Sequence, residues 1–154
     1  MNMPPLSEPH RRLEALVGAW HGEEILHPTP FDPKGGSAKG IVHNVLALDG
    51  FAVVQDYTQE RGGRPTFRGH GIFRWDPEGQ DYVLHWFDSM GQEPGTFRGT
   101  FDRQVLTLSS RQSHGMVRAA WDFRRPGEYA YRMDVSPDGD RWSPLMEGIY
   151  RRVR

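Results

Sequence analysis

The sequence predicts an all-β protein, a single antiparallel up-and-down β-barrel of about ten strands with a short N-terminal capping helix. Three observations lead there. Turn signals return about once per dozen residues from residue 61 to the end, and short apolar runs fill the intervals. Eighteen glycines, twelve prolines and 12% aromatic residues suit tight turns and pleated surfaces. Ten short strands with tight turns leave no room for crossover helices, so neighbours in sequence pair in the sheet, and closure removes the two exposed edges. A two-sheet sandwich is the structural rival.

The elements follow in order. The N-terminal segment, 1–17, carries a helix over 9–17, with Ser7 as cap and Leu13, Leu16 and Val17 on one apolar face that the open end of a barrel can bury. The barrel occupies 18–154 and completes one domain. Its first strand, 19–26, leads into the Pro- and Gly-rich connection 27–36, the longest irregular segment, which is expected at a barrel mouth. Strands over 39–48 and 51–59 meet at Asp49-Gly50, a strong hairpin signal. Further strands are read at 66–75, 81–87, 96–101, 105–110, 116–124, 128–135 and 142–152, separated by turns such as Asp76-Pro77-Glu78-Gly79 and Pro126-Gly127.

Composition narrows the function classes. The 19 basic and 20 acidic side chains nearly cancel among 154 residues, which gives no field for phosphate backbones or anionic lipid. Nucleic acid and membrane are therefore not expected partners. The absence of cysteine removes disulfides, thiolate metal sites and cysteine nucleophiles. With neither a secretory signal nor an apolar span to be read, a soluble, cytoplasmic protein is expected. A homodimer through an exposed barrel face or edge is compatible with the sequence.

The segment His10-Arg11-Arg12-Leu13-Glu14-Ala15-Leu16-Val17-Gly18-Ala19-Trp20-His21-Gly22, a helix running into Gly-x-Trp-x-Gly, resembles the start of the uncharacterised bacterial proteins grouped as domain of unknown function 1579. Gly69-His70-Gly71, Trp86-Phe87-Asp88-Ser89-Met90-Gly91, Phe97-Arg98-Gly99-Thr100, Ser136-Pro137-Asp138-Gly139 with Trp142, and Met146-Glu147-Gly148-Ile149-Tyr150-Arg151-Arg152 extend the resemblance over nearly the whole chain. It implies a lipocalin-like (calycin) barrel that holds a small ligand. It also implies that Trp20 packs across the closed end beneath a basic side chain of the last strand, Arg151 or Arg152. The related nitrobindin barrels bind haem through a His near the C-terminus. Here Glu24 replaces the third Gly of their Gly-x-Trp-x-Gly-x-Gly pattern and residues 142–154 contain no His, so no cofactor is expected.

Polar residues within apolar strands define the candidate site. His43, Gln55, Tyr57, His70, His85, Trp86, Asp88, Arg118, Tyr131 and Glu147 are the candidate ligand-binding residues, expected to line a polar cavity for a small organic molecule. His43, His70 and His85 would form a three-His metal site only if all three pointed inward, and no metal is assigned. The alternative function is an enzyme in which His70 or His85 does acid–base work with a carboxylate such as Glu24, Asp88 or Glu147; His70, His85 and Asp88 are its candidate catalytic residues. Ser89 lacks a nucleophile-elbow context. Gly69 and Gly71 are read as permitting a sharp bend.

Overall fold

The computed structural model describes residues 2–153. A short helix, α1 (Glu8–Arg12), continues as a 3₁₀ turn over Leu13–Leu16 and is followed by ten strands. These are β1 (Gly18–Leu26), β2 (Gly36–Ala47), β3 (Ala52–Arg61), β4 (Arg64–Asp76), β5 (Asp81–Asp88), β6 (Gly95–Asp102), β7 (Val105–Gln112), β8 (Gly115–Asp122), β9 (Glu128–Ser136) and β10 (Ser143–Arg152). Each pairs antiparallel with the next, and β1 pairs with β10, Trp20 opposite Arg152 and Leu26 opposite Met146, so the barrel is closed. The strand count and closure agree with the sequence expectation and exclude the sandwich.

The helical segment seals one end, as its apolar face requires. Pro9 is tolerated in the first turn, where its missing N–H leaves no bond unmade. The Ser7 N–H donates to His10 Nδ1 at 3.1 Å, so His10 takes the place a Glu usually holds in a reciprocal cap. The helix is shorter than the expected 9–17 span because it tightens after Arg12. That tighter turn drives Leu13 and Leu16 into the barrel, where both are fully buried. Burial of each stabilises the fold by about 1.5–3 kcal/mol. The Tyr82 hydroxyl donates to the Pro9 carbonyl at 2.7 Å and ties the segment to β5.

Beneath this cap Trp20 donates its indole N–H to the Leu16 carbonyl at 3.0 Å, and Asn44 donates to the same oxygen at 2.8 Å. The Arg152 guanidinium lies 4.3 Å from the centre of the Trp20 ring and donates to the Val17 carbonyl at 2.8 Å. The basic partner expected for Trp20 is thus Arg152. Gly18, at φ +145°, permits this approach, because any Cβ there would collide with the Arg152 guanidinium.

Inward positions alternate with outward ones along the strands, apart from register shifts at Gln59/Glu60 and Pro144/Met146. Trp20, Phe73, Leu106, Leu108 and Tyr129 fill the half of the barrel next to the helical cap. The other half is bounded by the connections β1–β2, β3–β4, β5–β6, β7–β8 and β9–β10, and is hollow. Among the described residues, no helix is long and apolar enough to cross a membrane.

Candidate functional site

The hollow half forms a cavity of about 410 Å³ that opens at the mouth. Aromatic and aliphatic side chains make most of its wall: Phe67, Trp86, Phe97, Trp121 and Tyr131 around the sides, with Leu84, Ala119 and Tyr129 toward the packed half. The 27–36 connection stands at the rim, as expected, and Thr29 and Asp32 line the opening. Asp32 is held by Arg61 of β3 at 2.6 Å, which straps the connection to the barrel. The expectation of a polar-lined cavity is corrected: the lining is mainly apolar, with polar groups gathered in a few places.

The main polar group is organised by Glu24, only 1% exposed on the inner face of β1. Tyr57 donates its hydroxyl to the carboxyl, with Oε2 at 2.8 Å and Oε1 at 3.0 Å; Gln59 donates its amide to Oε1 at 3.1 Å; and the Tyr150 hydroxyl donates to Oε2. Gln59 also donates to the Tyr57 oxygen at 2.9 Å. Tyr57, Gln59 and Tyr150 line the cavity, with Glu24 immediately behind them. Room for this arrangement comes from glycine: a Cβ at Gly22 would enter the Tyr150 ring, one at Gly40 would strike Glu24 and Tyr150, and one at Gly148 would crowd both.

The phenols sense this environment. Burial, followed by the nearby Glu24 charge, pushes the Tyr57 hydroxyl well above its usual range. Tyr150 and Tyr131 are raised in the same way, by burial first and Glu24 next. A second polar position stands at the mouth, where Asp88 accepts from the Trp86 indole N–H at 3.0 Å and from the Met90 backbone N–H at 2.9 Å. Gly69 lies under the Trp86 ring and has no space for a Cβ, so this glycine makes room for a cavity wall.

Of the residues singled out from sequence, Gln55, Tyr57, Trp86, Asp88 and Tyr131 line the cavity. His43, His70, His85, Arg118 and Glu147 do not, and their expected inward placement is corrected. Val42 and Asn44 are buried on either side of exposed His43, and Gly69 and Gly71 likewise flank exposed His70, so alternation turns both histidines outward. There His70 Nδ1 lies 2.7 Å from Asp56 Oδ1. His85 alternates with inward Leu84 and Trp86, and its Nε2 accepts from Arg74 Nε at 3.0 Å. Burial and then the Arg74 and Arg98 charges lower its pKa.

Arg118 packs 4.0 Å from the centre of the Trp142 ring and 3.7 Å from Asp134 on the outside. A register shift between Pro144 and Met146 sends both Leu145 and Met146 to the cavity, and beyond it regular alternation with inward Met146 and Gly148 leaves Glu147 outside, 3.7 Å from His27. With His70 and His85 on the outer face, the histidine–carboxylate pair needed for acid–base work in the cavity is not assembled from them. Among the described residues no group of three or more His, Asp or Glu is placed to hold a metal ion. The inner positions of β10 near the cavity, Met146, Gly148 and Tyr150, offer no imidazole, and the Tyr150 hydroxyl is given to Glu24, so this face does not fit histidine-ligated haem.

Gln59 and Tyr150 are not among the candidates drawn from sequence, and Glu24 enters there as a departure from the haem-barrel glycine pattern and as one of three carboxylates for a catalytic pair, not as the centre of a cluster. A usable signal existed: Trp20, Gly22 and Glu24 share one face of β1, so an inward Trp20 fixes an inward carboxyl.

A search of curated proteins found no match. Solved structures that resemble this one include Rv2717c from M. tuberculosis, at 15% identity and a TM-score of 0.67, covering 97% of this chain and 100% of that one. Another is the S-type phycobiliprotein lyase CPES from Guillardia theta, at 10% identity and a TM-score of 0.62, covering 98% of this chain and 99% of that one. Both share the fold. Residues 5–152 match the family described as protein of unknown function (DUF1579), and the chain belongs to that family.

Proposed function

We propose that the protein binds a small organic molecule inside the barrel. One observation carries this reading: the mouth half of the barrel is left as a cavity of about 410 Å³ instead of being packed. Small-molecule sites typically span about 300–1,000 Å³ and combine apolar walls with a few fixed polar groups. Here the fixed groups are the Glu24-centred cluster and Asp88, with the Gln55 amide also in the lining. The likeness in fold to a phycobiliprotein lyase is compatible with small-molecule handling. A cysteine-free chain of nearly balanced charge suits a reducing cytoplasm, which is the proposed setting.

Native mass spectrometry of the purified protein, with thermal shift across a small-molecule library, tests the proposal. The expected result is a non-covalent adduct or a stabilising ligand that is lost in Val117→Trp, where the larger ring fills the cavity. A ligand that binds Val117→Trp as well as the parent would place the site elsewhere, and a protein stabilised by no member of the library and free of adduct would refute the proposal.

A further inference from the structure

The hydrogen-bond direction around Glu24 limits what the cavity can accept. A phenol has one O–H to give, and both Tyr57 and Tyr150 give theirs to Glu24. The amide N–H₂ of Gln59 is directed at Glu24 Oε1 and the Tyr57 oxygen, at 3.1 and 2.9 Å. The polar surface these side chains present to the cavity therefore consists of lone pairs: two phenolic oxygens and an amide carbonyl. An incoming group that needs to accept a hydrogen bond finds no donor in this cluster. One that donates finds several acceptors.

Charge points the same way. Glu24 makes no ion pair among the described residues, although a buried carboxylate is costly without a counter-charge. Asp88, at the mouth, is held by two neutral N–H donors and likewise lacks a cation among the described residues. The guanidinium that lines the cavity, Arg61, is neutralised by Asp32 at 2.6 Å. Two carboxylates thus face or back a chamber walled by Trp86, Trp121 and Phe97, whose ring faces attract cations.

From this arrangement, and on the small-molecule reading above, we infer that the cavity selects an organic cation: an amine or ammonium group carried on an apolar or aromatic body. The ammonium supplies the counter-charge that Glu24 and Asp88 lack and the donors that Tyr57, Tyr150 and Gln59 can accept. The apolar body occupies the aromatic wall.

Three naphthalenes of one shape and different charge test this by calorimetric titration: 1-naphthylmethylammonium, 1-ethylnaphthalene and 1-naphthylacetate. The ammonium is expected to bind at least about tenfold more tightly than either of the others, as one desolvated cation contact alone can provide. That preference should shrink severalfold in Glu24→Gln and in Asp88→Asn, and persist in the outer-face variant His70→Ala. Asp88→Asn, at the rim, keeps the test decisive if Glu24→Gln fails to fold. Equal or tighter binding of the neutral or anionic compound by the parent overturns the inference while leaving the small-molecule reading intact. So does a cation preference that survives in the foldable carboxylate variants. Failure of all three to bind also overturns it, and the adduct and library experiment then decides the small-molecule reading separately.

Discussion

At Gly40 a hydrogen stands where any side chain would press on both Glu24 and Tyr150. Residue-scale design in this protein is largely of this kind, with small residues yielding space to a few large or charged ones. Gly40→Ala is therefore expected to destabilise the fold by about 1–3 kcal/mol through overpacking, measurable by urea denaturation. At the opposite end Arg152→Met removes the cation over Trp20 and its bond to the Val17 carbonyl while keeping most of the aliphatic packing. Its expected cost is about 1 kcal/mol, against about 3–5 kcal/mol for Trp20→Ala. The role of Trp20 was legible through the family resemblance that its Gly-x-Trp context carries, which left its basic partner open between Arg151 and Arg152; the structure selects Arg152. The Glu24 cluster was not legible, because Tyr57, Gln59 and Tyr150 come from strands whose mutual register no local pattern discloses.

Among the elements, the segment formed by α1 and the 3₁₀ turn acts as a plug, and its contribution resides in two side chains. Leu16→Ala is expected to lower stability by about 2–5 kcal/mol, with Leu13→Ala similar, as measured by chemical unfolding. The β9–β10 connection is held differently, by the Asp138 carboxylate accepting from the Asp140 and Arg141 backbone N–H groups, each at 2.9 Å. Those bonds, with help from Ser136 and Arg141, bring its pKa down to about 2 from 3.8. A carboxyl depressed on folding contributes stability that is present above its unfolded value and lost as pH falls through the folded one. Carbon-13 titration should thus place the Asp138 midpoint near the lower value, with the loop loosening between pH 3.8 and about 2. Element positions were legible throughout, since turn residues mark them. Facing was legible only in part: His85 and Trp86 are adjacent in β5, so alternation alone forbids both from lining the cavity, whereas the shift before Met146 that brings Leu145 to the cavity beside it has no sequence signature.

For the molecule as a whole, the five tyrosines behave as a set. Tyr57, Tyr82, Tyr129, Tyr131 and Tyr150 all have pKa values raised from 10.0, burial being the first cause in each. A phenol raised on folding contributes stability that is complete below its unfolded value and lost as pH climbs beyond it. The protein should therefore show little tyrosinate absorbance at pH 10 while folded, then release phenolate cooperatively as it unfolds at higher pH; gradual ionisation of folded protein from pH 10 would contradict this.

Closure itself has a kinetic consequence. Nine of the ten strand pairings join neighbours in the chain, and the tenth, β1 with β10, joins its two ends. The local hairpins can zip early at small loop entropy, whereas the seam must wait until the sheet has curled far enough to bring Trp20 to Arg152. Substitutions across the seam should then accelerate unfolding while scarcely slowing folding, and those in the β3–β4 hairpin should divide between both rates. A barrel built this way opens, when it opens, along the line where the chain's beginning meets its end.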